Sequence, residues 1–84
     1  MTKPQTLKDW QNTPSGSEDR REIPAYVFYG PNRTYPAYLW DSEKKKWRLS
    51  ERMLRAIISR ANSQGQTAIS ARASRELKRE FGGD

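Results

Sequence analysis

The amino-acid sequence predicts a small α+β fold: a three-stranded antiparallel β-meander followed by two α-helices packed on one face, with a disordered N-terminal arm. Three observations carry that expectation. Aromatic and β-branched residues crowd between Ala25 and Leu49 and are interrupted by turn residues, apolar residues recur at helical spacing from Met53 onward, and residues 1–23 are almost wholly polar. A chain of 84 residues buries only roughly 60% of its unfolded surface, so it supports one core and no second domain.

Residues 1–23 contain Pro4, Pro14 and the polar stretch TPSGSEDRRE, with Leu7 and Trp10 as the main apolar groups. So little apolar surface does not offset the entropy of ordering a chain, which predicts a flexible arm ahead of a domain over 24–84. Trp10 is the exception, because an indole is rarely left in water; a short turn would dock it on the protein's own core or on a partner, the core being the first expectation.

From Pro24 the segments AYVFYG (25–30) and TYPAYLWD (34–41), joined by Pro31, Asn32 and Arg33, read as a hairpin. Pro36 donates no ladder bond, so the second strand should start irregularly or at an edge. Asp41 to Lys44 reads as a tight turn in which the aspartate accepts from its own backbone two residues on. KKWRL (45–49) would be the third strand, with Trp47 and Leu49 inward and Lys46 and Arg48 outward by strand alternation.

Ser50 is the expected N-cap of the first main helix, with Glu51 at the positive end of its dipole. Met53, Leu54, Ile57, Ile58 and Ala61 form its apolar face, and Gly65 supplies a left-handed cap near Gln64. A second helix is expected from an N-cap at Thr67 to Phe81, ending at Gly82 and Gly83. Its apolar line is narrow, consisting of Ile69, Ala73, Leu77 and Phe81, and it leaves Arg72, Arg75, Lys78 and Arg79 exposed.

Charge is the strongest functional signal. The net +6 is distributed as zero over residues 1–23, minus one over 24–43 and plus seven over 44–84, where eleven of the sixteen basic residues lie. A concentrated positive field attracts polyanions, and ten arginines against six lysines suit bidentate phosphate or carboxylate recognition. Without cysteine or histidine, disulfides, thiolate zinc sites and the usual proton shuttle at neutral pH are excluded. No GxGxxG or Walker-type loop occurs, and every carboxylate stands in a polar context unsuited to general-base work, so neither an enzyme nor a cofactor is expected. No apolar run approaches the ~20 residues that span a bilayer and the start lacks a secretory signal, which makes a membrane partner unexpected and the cytoplasm the expected location.

Tyr26, Phe28, Tyr29, Tyr35, Tyr38, Trp40 and Trp47 fall within about twenty-two residues. They suffice to fill the core of a chain poor in Leu, Ile and Val. Any that stand on an open sheet face beside basic groups would stack bases of single-stranded nucleic acid, and Tyr29, Tyr38 and Trp40 are the candidates for such stacking or interface contacts.

The run KWRLSERMLRAIISRANSQG, about a quarter of the chain, resembles ribbon-helix-helix repressors: a strand through Arg48 and Leu49 leads into a helix bearing Met53, Leu54, Ile57 and Ala61 and closed by Gly65. The resemblance implies a dimeric DNA-binding protein with Lys44, Lys46 and Arg48 on base edges. Arg72 stands where that family has an apolar residue, and the strand cannot easily serve both the repressor ribbon and the meander. A helix-turn-helix is not matched, because Arg60, Gln64 and Gln66 occupy positions that need apolar side chains.

The expected function is therefore a non-catalytic, basic, nucleic-acid-binding regulatory protein, for DNA or RNA. Its phosphate contacts would come from Lys44, Lys46, Arg48, Arg52, Arg55, Arg72, Arg75 and Arg79. The alternative is a small regulatory adaptor or inhibitor that binds an acidic surface of a protein or enzyme complex through the same arginines.

Overall fold

The computed structural model describes residues 3–13 and 18–82. Along the chain these form α1 (Leu7–Gln11), α2 (Glu18–Arg21), a 3₁₀ turn (Ala25–Val27), β1 (Phe28–Gly30), β2 (Thr34–Pro36), β3 (Tyr38–Asp41), β4 (Lys46–Leu49), α3 (Glu51–Ser63) and α4 (Thr67–Phe81). The α+β class is as expected. The three-stranded meander is not: β1 pairs with β2 and β3 with β4, as two separate antiparallel hairpins.

The break falls inside the segment expected to be one long strand, and the local chemistry explains it. Tyr35 has a left-handed backbone (φ +57°) and Pro36 carries no N–H, so the ladder cannot run straight through them. Ala37 then joins the two hairpins, since its N–H donates to the Val27 carbonyl (2.9 Å) and its carbonyl accepts from the Ser50 N–H (3.1 Å). The first strand is also shorter than expected. Pro24 opens a 3₁₀ turn closed by the Val27 N–H on the Pro24 carbonyl (3.2 Å), which leaves only Phe28 to Gly30 extended.

The arm expected over 1–23 is, in its described residues, part of the fold. Thr6 caps α1 by accepting from the Asp9 N–H (3.2 Å), while the Asp9 carboxylate accepts from the Gln5 N–H (3.0 Å). This short helix brings Trp10 into a cluster with Ile23, Val27, Phe28 and Met53, where the indole is 3% exposed. Its Nε1–H donates to the Tyr38 carbonyl at 2.9 Å and its ring meets Phe28 edge-on. The Trp40 N–H donates to the Pro4 carbonyl (2.8 Å), so the N-terminal segment also covers part of the edge of β3. Residues 14–17 of the TPSGSEDRRE stretch lie outside the described residues.

The second core lies under the main helices. Tyr29, Ala37, Leu54, Ile57, Ala73 and Leu77 are buried together, with Tyr35, Tyr38, Leu49, Ile58 and Ile69 packed around them. α3 begins as expected, its Ser50 Oγ accepting from the Met53 N–H (3.3 Å). It ends in a Schellman arrangement in which the Gln66 N–H bonds the Ala61 carbonyl (2.8 Å) and Gly65 adopts φ +74°. α4 returns antiparallel along α3 and also packs on β1, while α3 packs on β2. Its N-cap is Gln66 rather than Thr67, without a side-chain cap, and its buried face is Ser70, Ala73 and Leu77, turned slightly from the expected stripe so that Phe81 is 41% exposed. The helix stops at Gly82, which is left-handed as a C-cap; Gly83 lies outside the described residues.

Candidate functional site

The eight basic residues picked from sequence are all exposed, on three elements. Lys44, Lys46 and Arg48 stand on the β3–β4 hairpin, where alternation turns Trp47 and Leu49 inward and leaves Lys46 and Arg48 outward. Arg52 and Arg55 lie on the face of α3 opposite Met53, Leu54, Ile57 and Ala61. Arg72, Arg75 and Arg79 follow at i, i+3 and i+7 on α4, opposite Ala73 and Leu77. The tight connection between α3 and α4 sets Arg55 and Arg75 each ten residues from Gly65, about 15 Å along their helices and so at a similar height.

Half of these cations are already engaged. Arg48 bonds Asp41 across the hairpin (3.1 Å), Arg55 bonds Glu51 (3.0 Å) and Arg79 bonds Glu76 (2.5 and 2.7 Å). The Arg72 guanidinium lies 4.1 Å from the centroid of the Tyr29 ring. Among the described residues Lys44, Lys46, Arg52 and Arg75 have no ion-pair partner. Asp41 organises the hairpin tip: its Oδ1 accepts from the Glu43 and Lys44 N–H groups (3.0 and 3.1 Å), which is the expected turn. The Lys44 N–H, followed by the Arg48 guanidinium and the Glu43 N–H, holds the Asp41 carboxyl below its ordinary range.

The aromatic candidates fare differently. Tyr29, expected as a stacking residue, is 9% exposed and packs in the second core beneath Arg72, so it offers no open face. Burial pushes its phenol up to about 12, with the Glu76 carboxylate adding to the effect. Tyr38 is partly buried and touches both cores, its phenol also raised by burial first and by Glu76 second. Trp40 meets Trp47 edge-on across the hairpin and carries the Lys3 ammonium over its ring at 3.7 Å. In the hairpin region the aromatic that stands open is Tyr26, 57% exposed and edge-on to Tyr38. Strand alternation pointed elsewhere because Tyr26 sits in the 3₁₀ turn, where period-two logic does not hold.

Sequence reasoning also missed a cavity on the other side of α3. Its volume is ≈ 350 Å³, and it lies between α1, the β1–β2 turn and α3. Trp10, Met53 and Ile57 contribute apolar walls, and Arg20 and Arg60 contribute charge. Arg20 is 7% exposed, donating to the carbonyls of Thr13 (2.8 Å) and Arg33 (2.7 Å). The signal available in sequence was the place of Arg60, which flanks the Met53 and Ile57 side of a 3.6-residue helix rather than the outer face.

Among the described residues no cluster of His, Cys, Asp or Glu could hold a metal ion, and no helix is long and apolar enough to cross a membrane. Strand β4 is paired with β3 inside the chain, so the ladder edge facing β3 is not open to a second subunit as in a repressor ribbon. No protein-family model, curated protein or solved structure gives a significant match to the chain.

Proposed function

We propose that the chain is a non-catalytic nucleic-acid-binding protein that grips the phosphate backbone through the exposed cations of the β3–β4 hairpin, α3 and α4. The observation that carries the reading is that all eight of these side chains are exposed on the outer faces of ordered elements, five of them without an ion-pair partner among the described residues. The three engaged arginines remain usable. Exposed ion pairs contribute only about 0–1 kcal/mol, so a phosphate can replace the carboxylate at little cost. With Tyr29 buried and the Lys3 ammonium over the Trp40 ring, phosphate contact rather than base stacking carries this reading.

The test is to replace Lys46, Arg52 and Arg75 together by glutamine and measure affinity for duplex DNA, single-stranded DNA and RNA. The expected result is at least tenfold weaker binding, with a folded protein by circular dichroism. Undiminished affinity would refute the assignment. A second reading, an adaptor for an acidic protein surface, is favoured by Tyr26, a 57% exposed ring of a type preferred as an interface anchor. It gains if none of the three nucleic acids binds.

A further inference from the structure

We propose that the cavity between α1, the β1–β2 turn and α3 is a binding site for a small amphipathic anion, a carboxylate carried on an aromatic body. The site is separate from the basic outer faces, and the inference does not depend on nucleic-acid binding.

Its lining has the composition such a ligand requires. Trp10, Met53 and Ile57 form apolar walls, and the volume of ≈ 350 Å³ suits a two-ring molecule. Arg20 and Arg60 both line the cavity, and no aspartate or glutamate does. Arg60 has no ion-pair partner among the described residues. The two guanidiniums also feel one another: after burial itself, the charge of Arg60 is the main influence that lowers the Arg20 pKa. An anion in the cavity would accept charge-assisted hydrogen bonds from the Arg60 guanidinium.

Tyr35 supplies independent geometric support. Its left-handed backbone (φ +57°) is a strained conformation for a bulky residue, of the kind retained where the surroundings hold it in place. Tyr35 and Gln64 both line the cavity, and the Tyr35 hydroxyl donates to the Gln64 Oε1 at the end of α3, so the strained turn is tied to the helix beside the cavity.

The experiment is an amide-detected NMR titration of the full chain with naphthaleneacetate and, separately, with its neutral isostere naphthaleneacetamide. Saturable shifts are expected at the Trp10 indole N–H and the Ile57 and Gln64 amides, with the acid binding roughly tenfold more tightly than the amide. Arg60→Gln should remove that preference while leaving amide binding unchanged, and Ala56→Leu, which narrows the cavity, should weaken both probes. Equal binding of acid and amide, a preference that survives Arg60→Gln, shifts mapping elsewhere, or no saturable shift would each overturn the proposal.

Discussion

At Gly30 the first hairpin closes more tightly than a side chain permits. A Cβ there would overlap the Thr34 Oγ1 and the Tyr35 ring, with the Thr34 carbonyl 3.3 Å away. The Tyr35 ring is held by Gln64 and cannot move aside freely. Gly30→Ala should therefore cost about 1–3 kcal/mol by overpacking, read as a lower midpoint in chemical denaturation; a loss under about 0.5 kcal/mol would mean that the hairpin yields. Tyr29 makes a second prediction at this scale. Its phenol is raised from 10.0 to about 12 in the fold, so the protonated form is the one the native state favours. The associated stability is present below the unfolded value and is lost as pH rises through the folded one. Stability should fall between pH 10 and 12, and tyrosinate absorbance should show at least one phenol titrating late. Four tyrosines that all titrate normally would contradict the placement of Tyr29 beneath α4.

The N-terminal helix shows how one residue changes the reading of a whole element. Composition over residues 1–22 argues for a mobile arm because polar side chains dilute Trp10, yet that single indole closes the first core and donates to Tyr38. Trp10→Ala should cost about 3–5 kcal/mol, a large share of the roughly 5 kcal/mol that a domain of this size holds. Trp10→Phe keeps a ring in place but strands the Tyr38 carbonyl, for about 1–3 kcal/mol. Denaturation midpoints of both variants check this, and a Trp10→Ala protein as stable as wild type would restore the arm. α3, its Ser50 cap, its Gly65 stop and the Asp41 turn were legible because each is a local rule in which a few adjacent residues determine the outcome. The split at Ala37 and the burial of Tyr29 were not, since both depend on partners distant in sequence: Val27 and Ser50 for the one, Arg72, Ala73 and Leu77 for the other. The cavity escaped notice for the same reason, because its walls come from segments that no spacing rule brings together.

Over the whole molecule, charge and packing are arranged on different faces. The apolar stripes of α3 and α4 are spent on one another and on the two short hairpins, which turns the arginines of both helices outward. The basic candidates were readable from sequence because exposure of a charged side chain on an amphipathic helix follows from periodicity alone. Their engagement was not, since Asp41, Glu51 and Glu76 claim three of them only once the elements are built. If these cations neutralise phosphates, binding releases counterions and must weaken as salt rises. Fluorescence anisotropy of labelled duplex DNA, single-stranded DNA and RNA would be titrated with the protein at ~50 and ~200 mM salt. Four phosphate contacts imply a slope of about −3.6 in log affinity against log salt for duplex DNA, a loss of roughly a hundredfold across that interval. Binding that is absent at low salt, or that persists unchanged at the higher concentration, would contradict the claim.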